Sequence, residues 1–263
     1  MDLQLKDRIA LVTGSTAGIG LEIARTLAVE GAKVIVTGRN QEKLDDAVKS
    51  IRSSGGSAVS GVLADPATEE GASVLSGVVP QVDILVNNLG IYGIKPFNEI
   101  TDEEWRRYFE TNVLSGIRLA RAYFEGMLSR NWGRIIFVSS ESALMTPGDM
   151  IHYGMTKTSQ LAVSRGLAEK TKGTSVTVNA VLPGPTRSEG IIDFLKSLSS
   201  NPKASAADVE AEFFAKHRST SLLQRLINPE EIASLVAYLA SPLSSATNGA
   251  ALRVDGGVTP TMA

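Results

Sequence analysis

The 263 residues read as an α/β protein: a parallel β-sheet with helices packed against both of its faces. Short β-branched runs alternate with longer stretches of helical period along the whole chain. Each run is too apolar on both sides to border water, and strands buried on two faces belong to parallel sheets. No internal repeat, low-complexity tract or proline-rich linker breaks the alternation. A chain of this length holds one or two domains at about 150 residues each, and the unbroken alternation favours one domain over residues 1–263.

Taken in order, residues 9–13 form the first strand and run directly into a glycine-rich turn. Ile19, Ile23 and Leu27 then recur at helical spacing and mark the inner stripe of a helix. Strands follow at 34–37, 58–63, 84–86, 135–139 and 176–182, with helical segments at 45–51, 103–130 and 151–171. The last two helical segments carry apolar residues on more than one face. Residues 187–223 depart from the pattern: they have no strand period, many Ser and Ala, and a few large groups such as Ile191, Ile192, Phe194, Phe213 and Phe214. They read as a helical excursion that closes over a site as a lid.

Composition removes several function classes. With 26 basic and 28 acidic side chains the net charge is −2, and no basic cluster offers a footprint for nucleic acid or anionic lipid. There is no cysteine, which excludes disulfides, thiolate metal sites and cysteine nucleophiles together. Two histidines without clustered carboxylates make no metal site, and the absence of a G-x-S-x-G turn argues against a hydrolase despite His152 beside Tyr153. The charged start MDLQLKDRIA carries no signal-peptide stretch, and no apolar run reaches the roughly 20 residues that span a bilayer. A cytoplasmic protein is expected.

The turn after the first strand is Thr13-Gly14-Ser15-Thr16-Ala17-Gly18-Ile19-Gly20. Glycines there let backbone N–H groups and a helix N-terminus approach a pyrophosphate. The G-x-x-x-G-x-G spacing differs from the common G-x-G-x-x-G fingerprint, so the triplet alone is also compatible with a tight turn that binds nothing. At the end of the second strand, where an acidic residue selects the free 2′-hydroxyl of NAD, the chain has Thr37-Gly38-Arg39-Asn40. The missing acid and the guanidinium of Arg39 favour the 2′-phosphate of NADP, with NAD as the alternative. The lesser alternative is that Arg39 is a solvated residue at a helix start.

Tyr153 and Lys157 stand four apart in a helical segment, so their side chains leave one face a turn apart. A phenol titrates near pH 10, and an adjacent ammonium lowers that value and fits the phenol for proton exchange with an alcohol or alkoxide. Y-x-x-x-K alone is a common accident of helices. Here, however, it is one of five motifs in order: the glycine turn, Asn87-Asn88-Leu89-Gly90, Ser139-Ser140, Tyr153 to Lys157, and Pro183-Gly184-Pro185-Thr186.

With these motifs the sequence resembles the short-chain dehydrogenase/reductase family along nearly its whole length. The resemblance implies a single Rossmann-type, doubly wound domain with a seven-stranded parallel sheet, and hydride transfer between NAD or NADP and a carbonyl or secondary-alcohol carbon. It implies Asn112, Ser140, Tyr153 and Lys157 as the catalytic set. Lys157 would also hold the nicotinamide ribose, and Asn112 a water that relays protons from it. Ser139 and Ser142 are alternatives to Ser140. The resemblance also implies cofactor contacts at Gly14, Ser15, Ile19, Gly20, Asp65, Asn87, Gly90, Pro183, Gly184 and Thr186. Asp65, followed by Pro66 and Glu69, reads equally well as a helix N-cap. Leu89 replaces the family's usual small Ala, and the glycine turn lacks the basic residue that many NADP-binding members carry.

Ile91, Tyr92, Leu144, Met145, Ile191, Ile192 and Phe194 are expected pocket walls, suited to a medium-sized, largely apolar carbonyl compound or alcohol. A homotetramer is implied, assembled through the two long helical segments and a last strand near 250–254. The resemblance leaves 3-oxoacyl-carrier-protein reductase as an alternative activity. An epimerase or dehydratase, or a regulator that senses NADP without turnover, fits less well.

Overall fold

The computed structural model describes residues 1–262 except Ser57, Glu189 and Pro202. Seven strands form one sheet: β1 (Ile9–Val12), β2 (Lys33–Gly38), β3 (Val59–Leu63), β4 (Ile84–Asn87), β5 (Gly133–Val138), β6 (Val176–Pro183) and β7 (Ala251–Val254). Their spatial order is β3-β2-β1-β4-β5-β6-β7, and every neighbouring pair is parallel.

Side chains alternate across each strand, and in β1, β2, β4, β5 and β6 nearly all of both sets are buried. The edge strands β3 and β7 depart from the expectation: most of their residues are exposed or half-buried, because each has a strand on one side only. Ala10 and Val12 of β1 join Val34, Val36, Ile84 and Val86 on one face, under Ile23 and Leu27 of α1 (Gly18–Val29) and Leu44 and Ile51 of α2 (Gln41–Ser53). Leu11, Ile35, Leu85, Ile135 and Phe137 point the other way, toward Leu75 of α3 (Glu69–Val78) and Leu119 and Met127 of α5 (Ser115–Ser129). Each such buried Leu or Ile stabilises the fold by about 1.5–3 kcal/mol, so the continuous apolar runs sandwich the sheet between two helical layers. α9 (Pro229–Ala240) completes the first layer through Ile232 and Val236, and α6 (Ile151–Glu169) lies in the second.

β1 leads outward to β2 while its other neighbour, β4, leads toward β5. The chain therefore departs in opposite directions beyond two adjacent strand ends and leaves a crevice there, which is where open α/β sheets bind ligands.

The expected helix over 103–130 is divided. α4 (Asp102–Phe109), started by a Thr101–Glu104 capping box, runs into a π-helical turn at Glu110–Leu114 before α5. Asn112 sits in that turn with its amide turned to the chain after β4, and the wider turn admits a side chain that competes for backbone hydrogen bonds. Asp65 is not the cap of α3: Thr68 is, accepting from the N–H of Gly71 at 3.0 Å, while Asp65 closes a tight turn by accepting from Ala67 N at 3.0 Å.

Residues 187–223 carry α7 (Ile191–Leu198) and α8 (Ala206–His217). Their apolar groups form a separate cluster of Ile191, Leu195, Val209, Phe213, Phe214 and Leu226. Positions 189 and 202 of this excursion lie outside the described residues.

Candidate active site

A cleft of about 600 Å³ lies over the β1 and β4 strand ends and extends beneath α7 and α8. Its outer end is the glycine turn. Gly14 has φ +60°, a left-handed conformation that disfavours any side chain. A Cβ on Gly20 would lie 2.3 Å from the Gly14 carbonyl oxygen. Asn88 braces the turn, its Nδ2 donating to the carbonyls of Thr13 (3.0 Å) and Gly14 (3.1 Å). Thr13 Oγ1 in turn accepts from the N–H groups of Asn88 and Leu89 at 2.9 and 3.0 Å. The β1 and β4 loops are thus locked together.

α1 starts from this turn without a side-chain cap and without an acidic residue in its first turn, whereas α2, α3, α4 and α8 are capped by Asn40, Thr68, Thr101 and Ser205. Unsatisfied N–H groups at a positive helix end complement a phosphate. This cradle fits a dinucleotide pyrophosphate.

At the inner end, Ser140 follows β5, and Tyr153 and Lys157 enter from the first turns of α6. Lys157 Nζ donates to the carbonyl of Val138 at 2.9 Å and lies 5.6 Å from the Tyr153 ring centroid. The Ser140 hydroxyl donates to the carboxylate of Glu141 at 2.6 Å and accepts from Ser142 N at 3.1 Å. Ser139 is directed elsewhere, donating to the carbonyl of Lys157 at 2.9 Å. Ser142 also borders the cleft, but among the three serines it is Ser140 whose hydroxyl favours the charged form of the Tyr153 phenol.

Electrostatics at this end depart from the sequence expectation. Burial pushes the Tyr153 phenol above its ordinary value, the negative charge of Glu141 adds to that, and the Ser140 hydroxyl opposes it. The acidification expected from Lys157 is not among the effects on the phenol: burial lowers the lysine too, to about 8, against the pull of Glu141. The chain's own groups therefore keep the phenol protonated.

Several sequence expectations find other structural roles. Asn112 does not face the cleft: its Oδ1 accepts from Ile91 N at 2.8 Å, and its Nδ2 donates to Ile91 O (2.9 Å) and Thr156 Oγ1 (3.0 Å). Its carbonyl accepts from Gln160 Nε2 at 2.5 Å. These bonds make it a clasp between α6 and the loop after β4. The Ser15 hydroxyl joins β1 to β2, donating to Val12 O at 2.7 Å and accepting from Thr37 N at 2.9 Å, so it does not point at a phosphate. Asn87 points into the layer of α5, with Nδ2 3.5 Å from Gly116 O, because the alternation along β4 turns it away from the cleft.

Gly14, Ile19, Gly20, Gly90, Pro183, Gly184 and Thr186 do border the cleft, and Thr186 is oriented by donating to Gly184 O at 2.8 Å. Arg39 and Asp65 stand beside each other beyond its outer end, 3.9 Å apart, with the arginine side chain 84% exposed. Of the expected pocket walls, Tyr92, Ile191 and Phe194 line the cleft; Ile91, Leu144, Met145 and Ile192 do not. The Tyr92 ring bridges Tyr153 and Phe194, at centroid distances of 6.3 and 5.8 Å. His152 packs against Tyr108 and Trp105, outside the cleft. Sequence reasoning missed Lys43, Glu141 and Arg218, all of which line it.

Residues 8–196 match the family of the short chain dehydrogenases. The chain belongs to the short-chain dehydrogenase/reductase family. Like that family's members it is an NAD(P)-dependent oxidoreductase that transfers a hydride between a nicotinamide and a carbonyl or secondary-alcohol carbon. Among short-chain dehydrogenase/reductase relatives, the uncharacterised oxidoreductase YvaG of Bacillus subtilis (strain 168) is 50% identical over 259 residues, 98% of each chain. The 3-oxoacyl-acyl-carrier-protein reductase FabG of Escherichia coli (strain K12) is 35% identical over 260 residues, 97% of this chain and 99% of its own. The L-sorbose reductase of Gluconobacter frateurii, solved with NADPH and L-sorbose, has a TM-score of 0.93 over 100% of both chains at 30% identity.

Proposed function

We propose that this dehydrogenase/reductase works as an NADPH-dependent carbonyl reductase, with Tyr153 as proton donor and Ser140 as the group that orients the substrate oxygen. The observation that carries the reading is the meeting of Ser140, Tyr153 and Lys157 at one end of a cleft whose other end is an uncapped helix N-terminus. When bound, a reduced nicotinamide supplies the hydride. The chain's part is to hold and protonate the oxygen. Ser140 donates a hydrogen bond to the carbonyl as charge builds on it, and Tyr153 releases its proton to that oxygen. A phenol held protonated by burial and by Glu141 suits donation, hence reduction. Lys157 holds the ribose hydroxyls, and Asn112 fixes the loop that carries Tyr92 and Ile94.

Support for NADP over NAD comes from the outer end. No carboxylate ends β2, Arg39 is exposed there, and Lys43 of α2 reaches the same rim. The NADPH bound by the L-sorbose reductase points the same way. α7 and α8 serve as a lid on one catalytic domain spanning 1–263. Assembly into a homotetramer is supported by an apolar groove between α5 and α6, lined by Ile117, Phe124, Val163 and Leu167. No described helix is long and apolar enough to cross a membrane, and a cytoplasmic setting suits a small-molecule carbonyl substrate. The 35% identity to a 3-oxoacyl-acyl-carrier-protein reductase favours such thioesters as a second reading.

The test is a panel of ketones, 3-oxoacyl thioesters, steroids and sugars assayed with NADPH and NADH by loss of nicotinamide absorbance, together with fluorescence titration of both cofactors. NADPH binds more tightly, and Arg39→Ala with Lys43→Ala weakens it at least about tenfold while sparing NADH. Tighter NADH binding would overturn the cofactor preference, and thioesters as the sole substrates would select the second reading.

A further inference from the structure

Glu141 is a carboxylate almost entirely withdrawn from water beside the reacting groups, and nothing in carbonyl reduction by Ser140 and Tyr153 requires it. Burying such a charge is costly unless donors surround it. Two do. The Ser140 hydroxyl donates to Oε2 at 2.6 Å, and Arg218 Nε, following α8 in the lid segment, donates to Oε1 at 3.2 Å. Arg218 is itself half held by the lid, with Nη1 donating to His217 O at 2.8 Å and its guanidinium 5.7 Å from the Phe213 ring centroid. Arg218, His217 and Phe213 all line the substrate end of the cleft.

The Ser140 hydroxyl has one proton, and it cannot reach Glu141 and a substrate carbonyl together. Orienting a carbonyl therefore takes the donor from Oε2 and leaves a buried carboxylate oxygen short of a partner. A substrate restores the balance when it brings a hydroxyl of its own one carbon from the carbonyl. The two oxygens of such an O–C–C–O unit lie about one hydrogen-bond length apart, like the Ser140 and Glu141 oxygens they would address.

We propose that Glu141, anchored by Arg218, is a specificity-determining residue that accepts a hydrogen bond from a substrate hydroxyl adjacent to the reacting carbonyl, so that the preferred substrates are α-hydroxy ketones. The proposal rests on the carbonyl-reductase reading and names its substrate class. In the step, the carbonyl carbon accepts a hydride from the reduced nicotinamide. The C=O π pair passes to oxygen, which takes the Tyr153 proton, and the products are a vicinal diol and the oxidised nicotinamide. The hydroxyl bound to Glu141 is unchanged. A plain ketone of the same size leaves Oε2 unpaired, the situation in which sites built for a hydroxyl discriminate most strongly.

The experiment uses two isosteric pairs, hydroxyacetone with 2-butanone and 2-hydroxyacetophenone with propiophenone, assayed with NADPH and NADH for the wild-type protein and for Glu141→Gln. We expect the wild type to favour the hydroxylated member of at least one pair by about a hundredfold or more in kcat/KM. In Glu141→Gln that ratio falls at least tenfold, while NADPH titration shows the variant still folded and binding. Equal rates within both wild-type pairs overturn the inference and leave the reductase reading standing. A preference that survives in Glu141→Gln also overturns it, because another group then reads the hydroxyl. Should Glu141→Gln not fold, the wild-type ratio is measured alongside Arg218→Lys, which keeps a cation while displacing the anchor, and an unaltered ratio there counts against the proposal. No turnover of any of the four compounds with either cofactor, where a member of the wider panel is reduced, overturns the inference and leaves the reductase reading standing; only a panel with no reduced member removes both.

Discussion

Asn112 grips Ile91 through both ends of its amide, accepting from the backbone N–H at 2.8 Å and donating to the backbone carbonyl at 2.9 Å. Its second donor bond, to Thr156, ties that grip to α6, which carries Tyr153 and Lys157. Position of the loop and position of the proton donor are thereby linked. Asn112→Ala leaves both Ile91 backbone groups without these partners, and we expect a loss of about 1–3 kcal/mol of stability. Because Tyr92 and Ile94 hang from the same loop, KM for a ketone rises more than kcat falls. Urea unfolding and steady-state kinetics check both; an unchanged unfolding midpoint would remove the clasp role.

Tyr153→Phe removes one hydroxyl and keeps the ring that packs against Tyr92. NADPH affinity is expected to stay within about twofold, while turnover of any reducible ketone drops at least about a hundredfold, the usual scale for losing a general acid. Since burial and Glu141 both hold the phenol above its ordinary value, wild-type reduction shows no loss attributable to its deprotonation below pH 9. Near-normal turnover in the variant would refute the assignment.

The sheet is legible in the sequence because its inner strands are buried twice over, and a run such as Val34, Ile35, Val36 records both contacts at once, whereas the edge strands β3 and β7 are only partly covered. The motif positions are legible too, but spacing fixes a backbone site and not the direction of its side chain. Ser15 and Asn87 stand where the family pattern requires and turn inward to Thr37 and Gly116. The π turn at Asn112 leaves no periodic trace, since one residue of widening barely shifts an apolar stripe that is already broad. Glu141 and Arg218 are 77 positions apart, and only the path of α8 over the strand ends makes them neighbours.

Gly20→Ala tests the cradle. The added methyl would fall 2.3 Å from Gly14 O and 2.4 Å from Asn88 Nδ2, so either the turn or its brace must shift. Overpacking of this kind costs about 1–3 kcal/mol, and the displaced turn is the surface that meets a pyrophosphate. Fluorescence titration is expected to show at least a tenfold loss of NADPH affinity in protein that circular dichroism finds folded. Full affinity in the variant would mean that the cofactor phosphates lie elsewhere.

Lys157 makes stability depend on pH with a definite sign. Burial sets its folded value at about 8, below the ordinary lysine value of 10.5, so between those limits the unfolded chain binds more protons than the folded one. Folding is therefore penalised below about pH 8, where the buried ammonium must be kept charged, and the penalty is relieved as pH rises from 8 toward 10.5. A shift of this size corresponds to about 3 kcal/mol. Lys157→Met carries no such charge, and the hydrogen bond it loses to Val138 O contributes little to the pH dependence. Urea unfolding of both proteins at pH 7 and pH 10 should show the wild type gaining about 2–3 kcal/mol relative to the variant across that interval. A difference that stays constant, or moves the other way, would mean that Lys157 is not the buried cation its surroundings imply.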